Sequence, residues 1–201
     1  MSYDERRVDV AEAVWRVIIR EGLGRTSMRA IAQELGASTG TLTHHFRDKE
    51  ELTLFAIDRL FKNVFADMKA SAQGQQGIDR LEQMIMSVLP MSPRGLSGWQ
   101  IWVAFLGYAI GRDRLIQEHQ KRYAMLRQII VQELVELQAA RVIRDGLDLT
   151  LEANALIALV DGIGTGVVIN PEQFDPEQQR YLVRRHIQTL VAESSARANK
   201  P

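Results

Sequence analysis

Hydroxyl and imidazole side chains are concentrated between residues 38 and 46, where two apolar residues stand four positions apart. Leu42 and Phe46 would share the inward face of a short helix, so the polar side chains between them would point elsewhere. Hydroxyl and imidazole groups bond to base edges and phosphate oxygens, and they are small enough to enter a DNA major groove. The pattern predicts a DNA-reading helix that presents Ser38, Thr39, Gly40, Thr41, Thr43 and His44.

A second short helix should precede this one. Thr26 or Ser27 can cap its first turn, and an apolar stripe follows at helical spacing. Gly36 is the natural left-handed residue at its end, and Asp48 can cap a third helix. Two helices joined by a tight turn form a helix-turn-helix, but many small helical proteins contain a helix, a glycine turn and another helix. Spacing alone therefore leaves DNA binding and plain packing about equally open.

The detailed pattern is more specific, and it resembles the N-terminal domain of the TetR family of transcriptional repressors. The matching residues are Ile31, Ala32, Gly36, Ser38, Gly40, Leu42, His45, Phe46, Lys49 and Leu52. The segments around Ser38 and His45 look most like the branch that responds to choline and betaine aldehyde. Most of the family has a Tyr where this chain has Thr43, and that Tyr usually contacts a phosphate.

The resemblance implies an all-α fold with two domains. Residues 1–48 would form a three-helix DNA-binding domain, and residues 49–201 a larger effector-binding and dimerisation domain. It also implies a homodimeric repressor that binds a palindromic operator and is released by a small-molecule effector.

Position along the predicted DNA-binding domain, which we call the reading head, indicates the role of each residue. Thr39, Gly40 and Thr41 should lie nearest base edges, whereas phosphate contacts are expected from Ser27, Thr43, His44 and Lys49. The chain carries 25 basic and 25 acidic residues, a formal net charge of +0. DNA affinity would therefore need a local cluster of cations, and the candidates are Arg25, Arg29, Arg47 and Lys49.

Composition describes a soluble, cytoplasmic protein. The 201 residues are 46% hydrophobic and 25% charged and include no Cys, which excludes disulfides and thiol catalysis. The N-terminus is charged and has no apolar signal core. The most apolar run, 155–169, is interrupted by Asp161 and is shorter than the ~20 residues that a membrane span needs.

Helical periodicity continues through the chain, and we find no strand pattern. The first predicted helix covers 4–21, and the later ones cover 49–71, 78–89, 98–110, 114–140, 151–169 and 176–193. We predict a loop at 91–95 because Pro93 and Gly95 disfavour regular structure. The tail from residue 194 is expected to fray.

An aromatic group on the 98–110 helix is the candidate effector site. Trp99, Trp102 and Phe105 share a face and Tyr108 is close by. A cationic effector would be attracted to ring faces, Met125 could border the space, and Asp161 or Glu118 could supply a carboxylate. The alternative is the ordinary core of a helical bundle, and Asp161 could equally be a buried hydrogen-bonding residue.

The last two helices are the predicted dimerisation pair. The 151–169 helix is apolar around most of its circumference, and Gly162 and Gly166 would allow another helix to approach closely. The final helix adds Val183, Ile187, Leu190 and Val191 on one face. Burial within one chain is the alternative. A phosphate-binding glycine loop at 161–166 is rejected because no strand precedes it.

Catalysis finds no support in the sequence. His44 and His45 are adjacent and would point about 100° apart on a helix, so they cannot easily share a metal ion. His119 and His186 stand alone, and no metalloprotease or nucleophile-elbow motif is present. We expect no enzyme activity, cofactor or metal. Two other classes stay open, which are a DNA-binding protein without an effector and a helical binding protein that no longer reads DNA.

Overall fold

The fold is seen in a computed structural model that describes residues 3–192, with side chains from residue 8 onward. Within that range the chain forms nine α-helices and no named strand, which confirms the all-α prediction. The helices are α1 Tyr3–Glu21, α2 Met28–Glu34, α3 Thr39–His45, α4 Lys49–Ser71, α5 Gly77–Met86, α6 Pro93–Ala109, α7 Asp113–Ala139, α8 Leu149–Ile169 and α9 Pro176–Leu190. The predicted frayed tail lies outside the described residues.

The described residues group into two compact units. Residues 3–63 and 97–120 form the first unit, and residues 64–96 and 121–192 form the second. Each unit combines two separate segments of the chain, so the units differ from the predicted division at residue 48. The functional division into 1–48 and 49–201 stays a prediction.

Helices α1, α2 and α3 pack together in the first unit. From residue 8 onward the buried residues of α1 are all apolar, among them Val14, Val17 and Ile18. The Trp15 indole N–H donates to the Ala56 carbonyl over 3.1 Å, which ties α1 to α4. Glu34 of α2 accepts hydrogen bonds from two α1 arginines, and these bonds lower the pKa of its carboxyl. The reading head is therefore a three-helix unit fixed against the start of α4.

In the second unit, α9 packs against α5 and α8. Its apolar face, made by Val183, Ile187 and Leu190, is buried within the same chain. These three side chains cover neighbouring helices of the same chain and do not meet a second copy, while the pairing of two chains through α8 and α9 stays a prediction. Gly166 also serves its own chain, since a Cβ there would lie 3.0 Å from the Phe174 ring. Gly162, by contrast, has nothing within 4 Å of its Cβ position.

The predicted loop at 91–95 is wrong in its second half. Helix α6 begins at Pro93, and the Ser92 hydroxyl accepts the Gly95 amide over 3.1 Å. Ser92 therefore acts as an N-cap and Pro93 occupies the first helical position, where its missing N–H costs nothing. Proline here starts the helix.

Helix α8 has 21 residues and is long and apolar enough, by length and composition alone, to cross a membrane. The run 155–169 is too short to span a bilayer, but the whole helix of 21 residues is not. Several α8 residues are buried inside the protein, among them Leu156, Ile157 and Ile163. Core helices of soluble proteins pass the same test, so α8 is weak evidence for a membrane span.

Candidate nucleic-acid interface

Helix α3 presents nearly all of its side chains to solvent. Ser38 caps it from an extended conformation, and its hydroxyl accepts the Thr41 amide over 3.1 Å. Among residues 38–45 only Leu42 is buried, at 2% exposure. Phe46 ends the helix and packs on Phe55, with ring centroids 5.2 Å apart. The predicted reading surface is therefore open, and its anchors are the two residues that spacing assigned to the interior.

The turn between α2 and α3 fixes the angle of this surface. Ser27 caps α2 by accepting the Ala30 amide over 3.1 Å. Gly36 lies in the left-handed region at φ +63°, and the Ala37 amide reaches back to the Ala32 carbonyl over 2.9 Å. This closing pattern needs a residue that tolerates positive φ, and glycine does so without strain.

The hydroxyls on α3 are not equivalent. Ser38 and Thr41 share a hydrogen bond of 2.9 Å between their hydroxyl oxygens. Thr43 donates to the Gly40 carbonyl over 3.2 Å. A phosphate can only accept, so a contact from Thr43 requires its proton to leave that carbonyl. Thr39 and His44 are exposed on the same helix.

The four predicted cations differ in exposure and in their partners. Arg25 and Arg29 are exposed. Arg47 pairs with Glu51 over 3.0 Å, and hydrogen bonds from Arg47 lower the pKa of that carboxyl. Lys49 is half-buried, and its ammonium donates to the Leu23 carbonyl over 2.6 Å. Lys49 therefore does not point to solvent, and its predicted phosphate contact is not prepared in this conformation.

Three aromatic residues of the predicted effector group lie within the first unit. Trp99, Trp102 and Phe105 are buried in the first unit. The Trp102 ring stacks on Phe105 and on His119, each at a centroid distance of 5.3 Å. Burial lowers the pKa of His119. The sequence left His119 as an isolated histidine because it lies on another helix, and only the packing reveals its stacking partner.

The remaining effector candidates have other neighbours. The Tyr108 ring contacts two cations of its own chain, with Lys49 Nζ at 4.7 Å and Arg112 Cζ at 3.8 Å from its centroid. Met125 and Asp161 belong to the second unit, where Met125 is 53% exposed. The Tyr123 hydroxyl lies 2.7 Å from both carboxyl oxygens of Asp161. Burial raises the pKa of Asp161, and the Tyr123 bond opposes part of that change.

Two family models match this chain. Residues 11–54 match the model described as bacterial regulatory proteins of the tetR family, and residues 77–192 match the BetI-type transcriptional repressor C-terminal model. The chain belongs to the TetR family.

Named relatives agree with this TetR assignment. The transcriptional regulator PksA of Bacillus subtilis is 26% identical over 202 residues, covering 100% of this chain and 97% of the relative. The regulator BetI of Vibrio campbellii is 24% identical and covers 90% of both chains. A putative regulator from Saccharomonospora viridis, solved in complex with choline, is 26% identical with a TM-score of 0.85, covering 94% of this chain and 100% of that one.

The predicted family and function class are confirmed. This TetR-family chain is a helix-turn-helix transcriptional regulator, and repression with a ligand response is typical of its family. Its relatives are named as transcriptional regulators and not as enzymes. The individual DNA-binding and effector-binding residues stay predictions.

Proposed function

We propose that this protein is a homodimeric repressor that acts in the cytoplasm on an imperfect palindrome. The observation that carries the proposal is the exposure of α3, whose surface is free while Leu42 and Phe46 anchor it. Two copies would place their α3 helices in successive major grooves, ~34 Å apart along the duplex. Thr39, Gly40 and Thr41 would approach base edges, and Ser27, Arg29, Ser38, Thr43 and His44 would contact the backbone.

The second copy would dock on an uncharged stripe of α8. Positions 151, 154, 158, 162, 165 and 169 are all exposed and recur at intervals of three and four, so they share one face. They carry Leu151, Asn154, Ala158, Gly162, Thr165 and Ile169, with Leu151 61% and Ile169 74% exposed. A solvent-facing helix side without a charge is unusual for a monomer. The small residues at its centre would let two α8 helices approach closely.

The effector we propose is a small organic cation. Each unit supplies chemistry for it, namely the stacked rings around Trp102 in the first unit and the buried carboxylate of Asp161 in the second. Aromatic faces attract cations, and a cation beside Asp161 would offset the cost of burying its charge. The choline complex of the Saccharomonospora viridis relative supports this class. The effector must bind more tightly to the conformation that cannot hold DNA than to the one that can. Equal affinity for both conformations would leave their populations unchanged.

A gel shift with duplex DNA from upstream of the gene tests the proposal. We expect retardation that a scrambled duplex does not reproduce and that choline or betaine aldehyde reverses. Specific binding that no cation reverses would remove the effector class and leave a regulator without this ligand. Absence of specific retardation would count against operator binding near its own gene.

The effector position is tested separately by tryptophan fluorescence during choline titration. Asp161→Asn should weaken the response if the carboxylate holds the cation, and Phe105→Leu should weaken it if the rings do. Lys69→Gln, an exposed change in the second unit, is the control.

A further inference from the structure

Lys49 connects three parts of the first unit. It is the first residue of α4, and three residues separate it from the end of α3. Its ammonium donates to the Leu23 carbonyl over 2.6 Å and to the Gly24 carbonyl over 3.3 Å, both in the turn after α1. It also lies 4.7 Å from the centroid of the Tyr108 ring on α6. The side chain therefore ties the start of α4 to the end of α1 and to α6.

Arg112 fixes the ring that Lys49 contacts. Its guanidinium carbon is 3.8 Å from the Tyr108 centroid, and Nη1 donates to the Tyr108 carbonyl over 2.6 Å. The same guanidinium is 3.9 Å from Glu50, the residue next to Lys49. Two cations thus contact one aromatic ring, and a carboxylate of α4 offsets part of their charge.

We propose that Tyr108, whose ring is contacted by Arg112, is a positioning residue for DNA binding that holds the Lys49 ammonium on the Leu23 and Gly24 carbonyls. This tie fixes the start of α4 against the end of α1 and so sets the direction of α3. The inference rests on the proposed operator binding. It gives Lys49 a structural role in place of the predicted phosphate contact, and Tyr108 a role outside any effector site.

The electrostatics of Lys49 support a structural role. Its pKa is lowered by burial and, to a smaller extent, by the charge of Arg112. The ammonium is nevertheless satisfied by two carbonyls and a ring face, which are good partners for a partly desolvated cation. Moving it to a phosphate would break the hydrogen bonds to α1 and leave those carbonyls to water.

Salt dependence separates the two roles of Lys49. Each phosphate contact contributes about one unit to the slope of log affinity against log salt concentration. A positioning residue changes affinity without changing this slope, because it neutralises no phosphate. The slope is therefore a readout that a structural tie leaves unmoved.

The experiment uses the full chain and the upstream duplex, with dissociation constants measured at several KCl concentrations. We compare Lys49→Met, Tyr108→Leu, Tyr108→Phe and the Lys49→Met/Tyr108→Leu double variant. Lys49→Met and Tyr108→Leu should each weaken binding about tenfold, as expected for losing a charge-assisted hydrogen bond or a cation–π contact, with slopes unchanged. Tyr108→Phe keeps the ring and should bind like the wild type.

The double variant should bind DNA no more weakly than the weaker-binding of Lys49→Met and Tyr108→Leu, because both changes break the same tie. Arg29→Met is the matched control, since this exposed cation is expected to contact a phosphate and should lower the slope by about one unit. A slope loss of one unit in Lys49→Met, additive losses in the double variant, or a Tyr108→Phe defect equal to that of Tyr108→Leu would each overturn the proposal.

Thermal unfolding of the free proteins keeps the inference separate from the proposed operator. Lys49→Met and Tyr108→Leu should each lower Tm by about 2–4 °C, and the double variant should lose less than the sum. If the wild type does not bind the upstream duplex, the proposed operator binding there fails. The non-additivity of the Tm losses would still decide whether Lys49 and Tyr108 form this tie. Additive Tm losses would show that Lys49 and Tyr108 act independently and would sink it.

Discussion

The hydroxyls of α3 differ in how their hydrogen-bonding capacity is already used. The Thr43 hydroxyl donates to the Gly40 carbonyl. The Thr41 hydroxyl instead forms a hydrogen bond with the Ser38 hydroxyl at the solvent-facing start of the helix. A hydroxyl paired with another hydroxyl can reverse its donor and acceptor roles at little cost, so it adapts to a base edge. Thr41 is therefore better suited to sequence reading than Thr43.

The first prediction concerns Thr41. Thr41→Ala should change the preferred base pair at one operator position, with a loss of about 1–3 kcal/mol for the original base, while the salt slope stays constant. Binding to a panel of single-base operator variants measures this, and Thr41→Ser, which keeps the hydroxyl, should retain the wild-type preference. An equal loss on specific and random DNA would contradict the assignment.

The buried carboxyl of Asp161 gives a second prediction. Its pKa is raised by burial, so the folded state holds a proton more tightly than the unfolded state. The group contributes stability at pH values below its unfolded pKa, and that contribution is lost as the pH rises through the folded pKa. Asp161→Asn removes the charge and keeps an oxygen that can accept from Tyr123. We expect its Tm to exceed that of the wild type at neutral pH.

The comparison across pH supplies the control for Asp161→Asn. The Tm advantage should shrink as the pH falls below the ordinary aspartate range, because the wild-type carboxyl is then protonated as well. Asp113→Asn, an exposed change at the start of α7, should show no comparable rise at neutral pH. A variant less stable than the wild type at neutral pH would mean that the charged form is favoured at this position.

Two glycines show how backbone conformation decides whether a Gly→Ala substitution stabilises or destabilises the protein. Gly36 closes the α2–α3 turn at φ +63°, whereas Gly107 lies inside α6 in exposed, open space. Gly36→Ala should destabilise the protein by about 1–2 kcal/mol because a Cβ is strained in the left-handed region. Gly107→Ala should stabilise it by about 0.5–1 kcal/mol because alanine loses less entropy in a helix.

Chemical denaturation of both alanine variants measures these free energies of unfolding. Gly36→Ala should also weaken DNA binding, because relief of the strain would turn α3 from its position, while Gly107→Ala should bind normally. Two variants with the same sign of stability change would contradict the backbone argument.

The elements that sequence predicts well are those with local signals. Helix α4 has its predicted bounds because Asp48 caps it, with its carboxylate accepting the Glu51 amide over 2.7 Å. The start of α6 was missed because Pro93 was read as a breaker, although a preceding Ser makes it a first-turn residue. The apolar face of α9 left two partners open, and the structure buries it within its own chain, since an apolar stripe does not say which surface covers it.

In the candidate site, too, local features could be predicted from the sequence and contacts between distant residues could not. Exposure of α3 followed from the spacing of Leu42 and Phe46, which is a property of one helix. The partners of Lys49 could not be predicted, because two are backbone carbonyls that any sequence carries and the third is a ring 59 positions later, Tyr108. Packing between distant segments decides where such a side chain points.

The neutral net charge makes DNA affinity depend on the pairing of two copies. With a formal net charge of +0, the chain supplies little long-range attraction to DNA. Specific affinity must come from short-range contacts, and one α3 helix offers few of them. Two copies held at a fixed separation make the second half-site an intramolecular event, which raises affinity by roughly 10²–10⁴ without a new kind of contact.

The α8 stripe is the surface on which this pairing can be tested. Ala158 lies near its centre, and an arginine there would meet its own symmetry mate in an isologous interface. Ala158→Arg should therefore be monomeric in sedimentation velocity and should lose about two orders of magnitude or more in operator affinity. Ala70→Arg places the same side chain on an exposed position at the end of α4 and should stay dimeric with normal affinity. Because position 158 is exposed within the single chain, the substitution has no intrachain packing to disturb, and a monomer with native helix content would assign the loss to the interface. A dimer of unchanged affinity in Ala158→Arg would place the second copy on another face.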